Sequence, residues 1–142
     1  MYAPKIVRAT FLLLVLLGAT PASLPSSSAA PEDFTVFLKK FIGNARFRLQ
    51  RVVTPLPADV PPGCGGSLVE KWGRAEVTKN LVVPLSRREL EAEYLSQKIT
   101  EVSGTEISLF QFRPEADSYL ITYTFRLRNG RWYLVGYQDA SC

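Results

Sequence analysis

Between Pro31 and Asn44 the apolar positions fall at Phe34, Phe37, Leu38, Phe41 and Ile42. That spacing is the stripe of a helix that buries one face. Pro31 suits a first turn, Glu32 and Asp33 suit the positive end of the helix dipole, and Gly43 offers a stop. Arg46 to Gln50 reads as a second short helix. Arg51 to Leu56 reads as a strand ended by Pro55 and Pro57, and Ala58 to Gly66 as a loop. The pattern loses its period from Leu68 to Pro84, although Trp72 and Leu81-Val82-Val83 call for burial. Ser86 with Glu89 forms a capping box, which predicts a helix to about Gln97 with Leu90 and Tyr94 on one face.

The last third reads as β. Glu106 to Phe112 is a strand whose apolar set shifts from Ile107 and Leu109 to Phe110 and Phe112, which suggests a bulge. Tyr119 to Arg128 and Arg131 to Gln138 flank Asn129-Gly130, the strongest short hairpin signal. A two-residue loop pairs Leu127 with Trp132, Phe125 with Leu134, and Tyr123 with Gly136. Those residues and Ile121 form one apolar face. Thr122, Thr124, Arg126, Tyr133, Val135 and Tyr137 form the other.

The first 30 residues change the picture of where this chain works. Lys5 and Arg8 precede an apolar run from Phe11 to Ala19, too short for a bilayer span, and small residues follow. This is the pattern of an export signal, cleaved after Ala22 or after Ala29. It leaves residues 31–142 as one α+β domain, expected in the bacterial periplasm, with no membrane span in the mature chain. Without Lys5 and Arg8, 15 basic residues face 13 acidic ones. So small an excess does not point to nucleic acid. The two cysteines, Cys64 and Cys142, are expected to form a disulfide in an oxidising compartment.

Candidate chemistry is thin. The chain has no histidine, which removes Ser-His-Asp and Cys-His nucleophiles and the usual zinc sites. Gly63, Gly65 and Gly66 are not followed by the lysine of a phosphate-binding loop. No catalytic residue, metal ligand or cofactor is indicated. Glu89, Glu91 and Glu93 read as a solvated face. Arg51, Trp72, Tyr94, Tyr123 and Arg126 are the candidate contacts for a small ligand or a protein partner. Core filling competes for the aromatic ones, and a solvated edge for the arginine of the hairpin.

Two segments carry a resemblance: Phe34-Thr-Val-Phe-Leu-Lys-Lys-Phe41, continuing through Phe47-Arg-Leu-Gln-Arg-Val-Val-Thr-Pro-Leu-Pro57, and Tyr123-Thr-Phe-Arg-Leu-Arg-Asn-Gly-Arg-Trp-Tyr-Leu-Val135. With the order of elements between them, they resemble the nuclear transport factor 2-like superfamily, in an uncharacterised branch of exported bacterial proteins. The resemblance implies a cystatin-like cone, in which the first helix packs in a curved antiparallel sheet and leaves a hollow. In that superfamily the hollow serves isomerases of the ketosteroid type, ligand binders and interaction modules, including immunity proteins against toxins. No Tyr and Asp arrangement can be carried over as an isomerase site. The expectation is a non-catalytic binding or interaction module, with a carboxylate/tyrosine isomerase or lyase and a periplasmic immunity protein as alternatives.

Overall fold

The computed structural model describes residues 30–62 and 67–142. The expected export signal and Cys64 lie outside them. Helix α1 spans Phe34–Gly43. It starts with the apolar stripe at Phe34, three residues after the expected first turn at Pro31, because Asp33 is its cap: the carboxylate accepts the Val36 amide at 2.9 Å. Asn44 ends α1, donating its amide to Lys40 O, and starts α2 (Ala45–Gln50) by accepting the Phe47 amide. Arg48 Nη1 donates to Phe41 O and Ile42 O at 2.8 and 2.9 Å. Two orphan carbonyls at the end of α1 are thereby satisfied.

Past α2 the chain departs from expectation. Val52 forms only an isolated parallel bridge to Leu134. The strand, β1, is Leu56–Asp59 and runs through Pro57. Its parallel pairing with the last strand is confined to Ala58 and Asp59, beyond the residue that lacks an amide hydrogen. The unassigned stretch resolves into β2 (Val69–Trp72) and α3 (Arg74–Asn80). Helix α4 spans Arg87–Ala92 and has both arms of the expected capping box. It stops short of Gln97 because Tyr94 turns the chain with a φ of 54°.

Residues Ser96–Ser103 then form β3, a strand the pattern did not predict. Strand β4 is Glu106–Arg113, β5 is Ala116–Arg128 and β6 is Arg131–Asp139. The six strands form one curved sheet in the order β2-β1-β6-β5-β4-β3. The β1–β6 pairing is parallel and the other four are antiparallel. The expected bulge inside β4 is absent. Ile107, Leu109 and Gln111 all face inward, and the register with β5 shifts only between Phe112 and Arg113.

Asn129 and Gly130 both take positive φ, 49° and 73°, as a two-residue hairpin with matching twist requires. The expected register holds from Arg128↔Arg131 to Phe125↔Leu134 and then slips by one at a bulge. Tyr123 therefore faces Tyr137 rather than Gly136, and Tyr137 joins the buried face.

The core is where α1 meets the sheet. Phe37 and Phe41 are fully buried, with Phe125 edge-on to both at 5.6 and 5.5 Å between ring centres. Phe34 fits between Phe125 and Trp132. Each ring withdrawn from water contributes about 1.5–3 kcal/mol. These contacts fill the part of the cone under α1 with aromatic side chains.

Candidate functional site

The cross-strand register decides what the other end of the cone presents. On the inner face one row runs Ile99–Leu109–Tyr123–Tyr137 across β3, β4, β5 and β6, and the next runs Gln97–Gln111–Ile121–Asp139. Tyr119 lies one inward-facing step further along β5. The apolar core under α1 thus gives way, within two rows, to amide, phenol and carboxylate groups.

The segment between α3 and α4 covers this polar end. Gln111 Oε1 accepts the Leu85 amide at 2.9 Å, and the Tyr123 hydroxyl donates to Val82 O at 2.9 Å. Gln111 is fully buried, yet its amide nitrogen has no hydrogen-bond partner among the described residues. It lies close enough to the Tyr123 hydroxyl to favour the phenolate and so offset a part of the burial effect there, without meeting hydrogen-bond geometry. A buried donor left unpaired costs about 1–3 kcal/mol. The buried amide nitrogen of Gln97 is unpartnered as well.

All three tyrosines are held in the neutral form. Burial pushes the Tyr123 and Tyr137 hydroxyls far above the usual phenol range, and the Asp139 carboxylate adds to both. Burial raises Tyr119 too, with smaller contributions from Asp139 and Glu93. The phenols therefore serve as hydrogen-bonding groups rather than bases. Asp139 is half-buried, and its Oδ1 accepts the Ser141 amide at 3.0 Å. Tyr119 also lines a groove of about 450 Å³ with Phe112, Arg113, Leu120 and Cys142, of which Phe112 and Leu120 belong to the outer face of the sheet.

The five candidate contacts occupy different places. Tyr123 lies in the polar end, and Trp72 forms its wall: the buried indole packs 5.3 Å from the Tyr137 ring and donates to Glu70. Arg51 lies at the opposite end of the hairpin, where its guanidinium binds Glu32 and Trp132 O and sits 4.8 Å from the Phe47 ring centre. Arg126 pairs with Glu106 at 2.6 Å on the outer face. Tyr94 is 84% exposed beside a separate groove of about 490 Å³ lined by Leu95, Ser96, Arg113, Pro114 and Glu115. Gln97, Gln111 and Tyr137 are the site residues that pattern reading missed. Only the strand register brings them together.

Among the described residues no group of three or more His, Cys, Asp or Glu could hold a metal ion, and no helix is long and apolar enough to cross a membrane. No described cysteine is a free thiol, and Cys142 lies at the groove.

A helix seated in a curved six-stranded sheet, closed by an Asn-Gly hairpin, defines an α+β cone. No protein-family model matches the sequence, and no curated protein matches it. Solved structures match it. An NTF2-like protein from Bacteroides fragilis superposes with a TM-score of 0.60 at 14% identity, over 79% of this chain and 48% of that one. The chain thus spans about half the length of that protein. A cystatin-like protein from Bacteroides caccae superposes with a TM-score of 0.55 at 19% identity, over 78% of each chain. The chain thus has an NTF2-like, or cystatin-like, fold.

Proposed function

We propose that this chain is an exported, non-catalytic binding module that holds a small ligand at the polar end of its cone. The observation that carries the reading is the fully buried Gln111 amide with no acceptor. A ligand oxygen that reaches it at the polar end of the cone supplies one. The neutral phenols of Tyr119 and Tyr137 add uncharged hydrogen-bonding groups around that position. The leader pattern of residues 1–30 supports export.

Catalysis has less support. The Tyr123 proton is already committed to the Val82 carbonyl, so that phenol is not free to act as an acid toward a substrate. One observation favours the isomerase or lyase alternative, the closeness of Asp139 to the Tyr137 hydroxyl. Proton exchange of an enolisable ketone, measured with the protein and with Asp139→Asn, separates the two readings. No difference from buffer supports the binding module. An exchange rate that falls at least ~10-fold in the variant supports the enzyme, as loss of a general base does.

The binding reading itself is tested by a thermal-shift screen of small carbonyl and carboxylate compounds against the protein and Gln111→Met. A ligand at 100 times its Kd stabilises by about 2.7 kcal/mol. The expected outcome is a compound that raises the Tm of the protein and leaves the variant unchanged. Equal shifts for both proteins contradict the site.

A further inference from the structure

We propose that two copies of this chain pair edge to edge through β3, about a two-fold axis at Ile99. Among the described residues strand β3 ends the sheet, with β4 as its one neighbour, so one side of its backbone is a row of amides and carbonyls that no described strand pairs. Native proteins usually blunt such an edge. The opposite edge strand, β2, has four residues, two of them Glu70 and Lys71. Strand β3 has eight, contains no proline, and is regular until the register shift between Glu101 and Ser103. At its middle Ile99 is 50% exposed, although it belongs to the inner-face row that buries Leu109 and Tyr123.

Symmetry limits how a second copy fits. In an antiparallel pair, opposite side chains share a face, so a two-fold axis normal to the sheet sets one residue against its own copy. The regular part of β3, residues 96–101, leaves two central choices. Centring on Lys98 sets two ammonium groups directly opposite, which is unfavourable. Centring on Ile99 sets the two half-exposed isoleucines together. It also places Gln97 opposite Glu101 of the second copy, twice over by symmetry. The Gln97 side chain, whose buried amide nitrogen has no partner among the described residues, then has a carboxylate as its cross-strand neighbour. Lys98 meets only Thr100 of the second copy. The two inner faces continue one another, and the polar row runs on into the second sheet.

The proposal stands apart from the ligand reading, since Gln111 and the groove play no part in it. It is tested on the full purified protein by sedimentation velocity over a range of concentrations, with Ile99→Cys and Ile99→Lys. Directly opposed Cβ atoms lie about 4.5–5.5 Å apart, within reach of a disulfide after small adjustment. Mild oxidation is expected to convert Ile99→Cys into a covalent dimer, while Val36→Cys, equally exposed on α1, stays uncrosslinked. Ile99→Lys is expected to weaken self-association at least ~10-fold with unchanged melting, since like charges then face each other at the axis. Glu101→Lys provides a second variant on an exposed side chain. A protein that is monomeric at every concentration overturns the proposal. So does a dimer that survives both lysine variants, or an Ile99→Cys that crosslinks no better than Val36→Cys.

Discussion

Replacing Glu32 with alanine removes the clamp that joins the start of α1 to the hairpin. The Glu32 carboxylate accepts from Arg51 Nη1 at 2.8 Å, Arg51 Nη2 at 3.2 Å and the Trp132 amide at 3.0 Å. The two side chains are 13% and 22% exposed, so water cannot fully replace these bonds. Breaking a fully buried pair by deleting one partner costs about 3–5 kcal/mol, and partial exposure lowers that. The main chain keeps its own ties, since Glu32 N donates to Gly130 O and the Trp132 indole donates to Glu32 O. We expect a loss of about 2–3 kcal/mol from Glu32→Ala, or roughly 10 °C in Tm for a domain of this size. Arg51→Met keeps an apolar stem against Phe37, Phe47 and Tyr133 and is expected to cost less. Urea unfolding of both single variants and the double variant gives the coupling between them. A cost below about 0.5 kcal/mol for Glu32→Ala, the range of an ordinary surface change, refutes the clamp.

Tyr123→Phe leaves the Val82 carbonyl without its hydroxyl donor and is expected to cost about 1–2 kcal/mol in urea unfolding; no change contradicts the bond at 2.9 Å. Folding raises the Tyr119, Tyr123 and Tyr137 pKa values, so it favours their neutral forms. That stability is complete below the unfolded phenol value near 10 and is lost as pH rises above it. The ionisation of Tyr119, Tyr123 and Tyr137, followed residue by residue through their ring carbon resonances, is therefore expected only together with unfolding in an alkaline titration, and its appearance in a protein still folded counts against the burial. The expected Cys64–Cys142 bridge is checked by thiol titration of denatured protein from an oxidising host, which should find reactive thiols only after reduction; thiols reactive before reduction contradict it. In the chain-entropy account, reducing that bridge removes about 4–5 kcal/mol, read as a fall in the urea midpoint.

What could be read beforehand followed the strength of local signals. The α1 stripe repeats at helical spacing, the Ser86/Glu89 box caps α4 reciprocally, and Asn129-Gly130 accepts the positive φ values of a tight hairpin. Register was legible as far as Phe125↔Leu134. Beyond it the bulge has no residue signature except Gly136, whose missing side chain leaves room beside Thr124. That one-residue slip moved Tyr137 from the expected outer face to the hollow. Strand β3 was invisible because an edge strand exposes most of its side chains, and Ser-Gln-Lys-Ile-Thr-Glu-Val-Ser carries no alternation to detect. Pro57 argued against a strand, yet β1 passes through it where pairing with β6 has not begun. The polar end of the cone was hidden for a related reason. Glutamine announces no chemistry by itself, and Gln97, Gln111 and Asp139 become neighbours only when strands far apart in sequence pair.

The side-chain amide resonances of Gln111 report most directly on the central claim that this buried donor receives the ligand. In a nitrogen–proton correlation spectrum of the protein titrated with a compound that raises its Tm, these signals should shift progressively as an acceptor arrives, while those of Arg126 on the outer face stay in place. A compound that binds and leaves the Gln111 amide signals unmoved contradicts the account.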